Sequence, residues 1–313
     1  MWAILLSLFM STQNSAIAAP TVAVPRARRG TLLAFLGVLS FSGSFPATVF
    51  AMRGFDPWLV AIGRAALAAL IALACLRFAG LPLVPPRRFW RSYALISLGV
   101  VFGFPVFSGL ALAMGAGTAH SAVVIGLLPA ATAAFAVLRA GERPRPAFWV
   151  ACTAGALAIT AFTFTRTGGA SAAWADLLLV GALLSAAVGY TEGGRLSRST
   201  PGWQVISYAL VFSLPVTLPV TAVLSVTTPV SWSVDAVAGF AYVGLISMFL
   251  GFIPWYAGLA QGGIARAGQT QLTQPLLTLV WAWVLLGERF GWVTVAAALA
   301  VLVCVALTQR ART

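Results

Sequence analysis

Apolar residues run along this chain in long unbroken stretches, not in the alternating or three-to-four spacing of soluble elements. Ten nearly uncharged runs stand out, at 31–51, 57–76, 92–113, 118–138, 147–165, 172–191, 203–225, 236–258, 267–286 and 291–309. A hydrocarbon core of about 30 Å takes roughly 20 residues of helix, so each run predicts one transmembrane helix. Their continuous apolarity argues against the strands of a membrane barrel. The connections are short and leave no soluble domain to carry a separate activity.

The runs also repeat. Gln271 to Arg289 restates the plan of Ile125 to Arg143 at an offset of 146 residues, which brings Pro129 onto Pro275 and Gly141-Glu142-Arg143 onto Gly287-Glu288-Arg289. An offset that long marks duplicated halves, since solenoid repeats run roughly 20 to 50 residues. Five helices per half is an odd number, so the second half enters the membrane with the opposite sense. The chain therefore reads as an all-α membrane protein of ten transmembrane helices in two inverted five-helix repeats. The repeats cover residues 30–165 and 172–309 and follow an N-terminal extension, 1–29. Inverted halves belong to transporters, because they give inward-open and outward-open states of similar energy.

Composition agrees with this class, and charge orients it. The chain is 60% hydrophobic and 8% charged over 313 residues, with a mean hydropathy of +0.97, more than one soluble core can hide. A net charge of +13 would ordinarily raise nucleic acid as a partner, but the nineteen basic residues, all Arg, follow the loops. With the N-terminus inside, fifteen fall on the cytoplasmic side, three outside (Arg53, Arg166 and Arg289), and Arg64 lies within a run. That bias predicts a multi-pass protein of the inner (plasma) membrane with both termini cytoplasmic. No solvated basic face with groove-reading elements occurs, so no nucleic-acid partner is expected. The expected partners are the lipid bilayer and a small-molecule solute, with a homodimer allowed. Cys75, Cys152 and Cys304 sit in separate runs without CxxC spacing and read as small hydrophobes. Residues 1–25 read as an extension or a misplaced start, with an eleventh span or a signal peptide as alternatives.

At this point the residues resemble a known family. Each half has a proline in its fourth helix and a Gly-Glu-Arg turn before its fifth. Ser42-Gly43-Ser44 lies in helix one, Arg64 in helix two, and Asp176 opens the second half. Together these resemble EamA-type members of the drug/metabolite transporter superfamily over about residues 30–309. The resemblance implies a ten-helix bundle whose central cavity is lined by helices one, three, four, six, eight and nine. It also implies movement of small metabolites, often outward. It carries no substrate contact to Ser42, where members often have Trp.

A charge inside the bilayer costs roughly 2.5–3.5 kcal/mol on insertion scales, so it faces a bundle interior or a watery cavity. Arg64 is the one basic residue well inside a run, and Asp56 is eight residues earlier. An unpaired guanidinium suits a solute carboxylate, which its fork grips at two points; the alternative is a tie to carbonyl groups of neighbouring helices. Thr270, Gln271 and Gln274 cluster on one face of helix nine opposite an apolar helix four, which predicts an amphipathic cavity. Interhelical hydrogen bonding is the competing reading. Tyr190, Trp255 and Tyr256 are candidates for the cavity wall, or else interfacial anchors.

Gly99, Gly103 and Pro105 in helix three, and Gly251 and Pro254 in helix eight, are interruptions in matching places of the two halves. They mark a midplane binding site or tight packing. His120 reads as a surface residue, Glu142 and Glu288 as caps or partners of Arg, and Glu192 as a carboxylate at the cytoplasmic edge. No catalytic set, metal cluster, cofactor motif or phosphate loop is present. The chain thus reads as a non-enzyme, a secondary transporter exporting small organic metabolites such as amino acids or related solutes. A non-transport membrane subunit and a lipid-acting membrane enzyme are the alternatives.

Overall fold

The computed structural model describes residues 26–140, 146–164, 169–262 and 270–312. The first 25 residues, the Gly141-Glu142-Arg143 turn and Gln269 lie outside them. Among the described residues there are helices joined by short turns and irregular connections, and no strand apart from one isolated antiparallel bridge between Phe55 and Val230. Seven helical stretches are long and apolar enough to cross a membrane: Arg28–Met52, Pro57–Phe78, Arg87–Ala113, Thr118–Arg139, Ala172–Leu196, Gly202–Thr227 and Val234–Gly262. Three shorter apolar helices accompany them, Pro146–Ala158, Thr273–Leu286 and Trp292–Leu307.

In chain order the elements are α1 (Arg26–Ser42), α2 (Ser44–Met52), α3 (Pro57–Phe78), α4 (Trp90–Ile96) and, after a π-helical segment at Ser97–Gly103, α5 (Phe104–Ala113). Then come α6 (Thr118–Ile125), α7 (Leu128–Ala140), α8 (Pro146–Phe164), α9 (Gly169–Leu196) and α10 (Gly202–Thr227). The chain closes with α11 (Val234–Ala241), a second π-helical segment at Tyr242–Leu250, α12 (Phe252–Gly262), α13 (Thr273–Leu286) and α14 (Trp292–Arg312).

Helix ends follow local chemistry. The Asp56 carboxylate accepts the Trp58 N–H at 2.8 Å, and Pro57 stands at the first helical position of α3, where its missing N–H leaves nothing unpaired. Gly287 ends α13 at φ +64°, a left-handed turn that costs glycine nothing. The turn carries Glu288 over the start of α6, where its two carboxylate oxygens accept the Thr118 and Ala119 N–H groups at 2.9 and 3.0 Å. The Gly-Glu-Arg turn of the second half is thus a cap on a helix of the first.

Inside a bilayer, helices gain little by hiding apolar surface from one another, so close packing and small side chains hold the bundle. Ala61, Ala65, Ala68 and Ala72 form a buried alanine stripe on α3, which lies along α10. A Cβ on Gly258 of α12 would fall 2.5 Å from the Ala34 nitrogen of α1, and one on Gly103 would fall 2.5 Å from the Ser185 hydroxyl of α9. The GxxxG pair of helix three therefore serves close packing. Across the halves, α1 packs on α12, α3 on α10, α5 on α9, α6 on α13 and α8 on α14.

Candidate functional site

Helix one breaks where its sequence says it must. Pro46 has no N–H to offer the Ser42 carbonyl four residues back, so α1 stops at Ser42 and α2 restarts at Ser44. The stranded Ser42 carbonyl accepts the Thr278 hydroxyl of α13 at 2.9 Å. The Ser42 hydroxyl in turn accepts the Trp281 indole N–H at 3.0 Å. Ser42 is spent on holding helix one against helix nine.

The break sets Ser44 against Ser247, with the two hydroxyls 2.6 Å apart. Ser247 lies in the second π-helical segment, whose wider turn includes the Gly251 N–H bonded to the Ile246 carbonyl at 2.7 Å. Such bulges gather at functional sites. The Ser247 hydroxyl also accepts the Arg64 Nη2–H at 3.1 Å. Arg64 is only 3% exposed, its Nε–H has no acceptor, and no carboxylate pairs with it among the described residues.

Arg64, Ser44 and Ser247 border a cavity of about 20 Å³. That volume suits about one water molecule, which needs roughly 10–15 Å³. α1 contributes Phe41 to its wall, the middle of the third span Val100 and Phe104, and α7 Leu128. α9 contributes Ala186 and Tyr190, the second π-helical segment Met248, α12 Phe252 and α13 Gln274. The wall therefore draws on helices one, three, four, six, eight and nine, with helix two added through Arg64. Gln274 brings an Oε1 atom that is buried and has no donor.

Arg64, Tyr190 and Gln274 are brought together at this wall. Gln271 stands one cleft away, with Gln274, Phe45 and Thr278, around a volume of about 10 Å³. Its Nε2 atom is buried without an acceptor. Thr270 lies outside the cavity wall and offers its carbonyl to the Thr273 hydroxyl at 2.7 Å. Trp255 and Tyr256 stand in an aromatic layer further along α12. Phe41 meets Phe252 at 4.7 Å between ring centroids, and Tyr190 meets Trp255 at 5.4 Å. Both residues are buried, and the Trp255 indole nitrogen and Tyr256 hydroxyl make no hydrogen bond.

Ser247 and Phe104 were not singled out by sequence, and Ser44 stood out only as part of the Ser42-Gly43-Ser44 stretch of helix one. A signal did exist for Ser247, the lone serine in the apolar run 236–258.

His120 corrects its surface reading. It is 8% exposed, and its Nε2 lies 2.7 Å from the Asp176 carboxylate at the start of α9. Glu192, near the C-terminal end of α9, is part of an ion-pair cluster. It pairs with Arg195 at 2.5 Å and faces Arg139 at 3.9 Å, and Arg195 also donates to the Ser92 hydroxyl at 2.8 Å. The two clusters sit sixteen residues apart on α9, about 24 Å at 1.5 Å per residue.

A model of the EamA-like transporter family matches residues 28–164 and again residues 173–310. A Bacillus subtilis (strain 168) protein described as an uncharacterized transporter, YdeK, is 46% identical over 289 residues, covering 90% of this chain and 97% of that one. A probable terminal-alkyne amino-acid exporter of Streptantibioticus cattleyicolor is 28% identical over 264 residues, covering 81% and 84%. A solved crystal structure superposes with a TM-score of 0.63 at 19% identity over 89% of this chain and 95% of the other, which shows a shared fold.

Proposed function

Because the chain belongs to the EamA-like transporter family, we propose that Arg64 and the cavity beside it bind a carboxylate-bearing solute that the protein carries across the plasma membrane. On this reading the protein is a secondary transporter of small organic metabolites, amino acids or related solutes, working in the export direction. The observation that carries it is the buried Arg64 guanidinium, unpaired by any carboxylate among the described residues, where two interrupted helices meet. An uncompensated charge in such a place is expensive, and a site for an anionic solute accounts for its presence.

The carrier has ten spans in two inverted halves, residues 30–165 and 172–309, with both termini in the cytoplasm. The packing pattern supports this. Exchanging the halves turns the pair α1 with α12 into the pair α9 with α5. It returns α3 with α10 and α8 with α14 to themselves. The π-helical segments agree as well, since Ser97–Gly103 moved by 146 residues falls within Tyr242–Leu250. Two wide turns in equivalent places flank the cavity, the pattern of a carrier that rocks about a central site. The amino-acid exporter among the relatives supports the solute class and direction.

The test is uptake into proteoliposomes holding the full chain, screened over carboxylates, amino acids, organic cations and sugars. A carboxylate-bearing solute should enter saturably and in a manner dependent on Arg64. Uptake confined to cations or sugars, or no uptake above protein-free vesicles, would sink the reading.

A further inference from the structure

Resting on the carrier reading above, we propose that the cavity selects monocarboxylates with a neutral hydroxyl beside the carboxylate and an apolar remainder, over zwitterionic amino acids. The charge count comes first. Among the described residues Arg64 is the only charged side chain on the cavity wall, and no Asp or Glu stands there to receive a cation. A monoanion leaves the loaded site neutral. An amino acid adds an ammonium within a few ångströms of the guanidinium, where like charges repel and neither is hydrated.

Hydrogen bonding points the same way. The Arg64 Nε–H is a donor without an acceptor. Since Ser247 already accepts from Arg64, its own hydrogen can pass to the Ser44 oxygen, 2.6 Å away. The Ser44 hydrogen is then free for a ligand. Both donors suit carboxylate oxygens. The Gln274 Oε1 is an acceptor without a donor, and a neutral O–H satisfies it without importing charge. The rest of the wall, chiefly Phe41, Val100, Phe104, Leu128 and Phe252, suits an apolar remainder. A cavity of about 20 Å³ is smaller than any such solute, so the bundle opens to admit it. Charge and hydrogen bonding, not a preformed outline, then make the choice.

Matched pairs differing only at C2 isolate the claim: lactate and alanine, 2-hydroxyisocaproate and leucine, phenyllactate and phenylalanine. In proteoliposomes at neutral pH, the hydroxy acid should exceed its amino acid in kcat/KM by about tenfold in at least one pair, the scale of one buried, imperfectly paired polar group. Gln274→Leu should erase the advantage of phenyllactate over 3-phenylpropionate, which lacks the hydroxyl. Arg64→Gln should erase the preference for the anion over the zwitterion. Where a variant reconstitutes poorly, thermal stabilisation of the wild-type protein by phenyllactate against phenylalanine reads the same preference. Amino acids moving as well as or better than their hydroxy acids, with Arg64 still required, would overturn this selection and leave the carrier reading intact. Uptake only of solutes outside the pairs would overturn it too. No uptake of any solute in the wider screen would overturn both.

Discussion

The hydroxyl of Thr278 on α13 donates to the main-chain carbonyl of Ser42 on α1, 2.9 Å away, and so replaces the bond that Pro46 cannot make within helix one. The kink is held from outside, by a helix of the other half. Thr278→Val should cost about 0.6 kcal/mol, the average for a side-chain hydrogen bond between membrane helices. Adding Pro46→Ala should recover much of that, because the helix regains its own N–H. A double-mutant cycle of unfolding in detergent measures both, and strictly additive effects would contradict the coupling.

Arg64→Ala should lower transport of a carboxylate solute by roughly 10–100-fold, since a hydrogen bond to a charged group is worth about 1.5–3 kcal/mol. Arg64→Lys should fall between, keeping the charge but losing the fork. Initial rates at matched reconstitution decide the matter, and wild-type rates in both variants would leave Arg64 a structural role only.

Glu288 holds the first two N–H groups of α6. Glu288→Ala should destabilise the protein by about 1 kcal/mol, the usual loss for a helix cap, and Glu288→Gln by less, because one oxygen acceptor remains. Thermal unfolding of the three proteins in one detergent should rank them in that order. An alanine variant as stable as the wild type would refute the capping role.

Orientation has its own test. Reporter fusions at Thr167 and Thr228 should appear outside the cell and one at Ser197 inside. Two of the three reading the opposite way would reverse the orientation drawn from the Arg bias.

Much of this arrangement is legible in the residues. Runs of apolar side chains long enough to span a bilayer dictate helices almost independently of context, because unpaired backbone cannot be left in hydrocarbon. Arg64 announces itself by charge alone. Asp56-Pro57 and Gly287-Glu288 announce helix ends by local chemistry that acts over a few residues. Partnerships across the bundle are another matter. His120 read as a surface residue because it stands at the outer start of helix four, whereas its partner Asp176 is 56 residues away. Ser247 gave a weak sign as the lone serine of its run, yet its meeting with Ser44, 203 residues distant, depends on which helices pack together. Trp255 and Tyr256 illustrate the same limit: an aromatic buried between helices and one exposed on the bundle surface have the same sequence context. Gly99, Gly103 and Pro105, and Gly251 and Pro254, mark where the two π-helical segments lie, but that the interruption is a widened turn and not a break depends on what its neighbours demand.

A guanidinium shut beside a space that suits about one water makes the vacant protein the awkward member of its own cycle. With a carboxylate aboard, the group that reorients is a neutral ion pair; without one, it is a bare cation whose hydrogen bond, among the described residues, goes to the Ser247 hydroxyl. The loaded return is therefore the quicker leg. Unlabelled solute placed on the far side should then accelerate efflux of labelled solute from the near side, and net flow into solute-free buffer should be slow. On the carrier reading proposed above, a protein with this wiring trades molecules more readily than it gives them away, and net export follows when the solute is kept scarce outside.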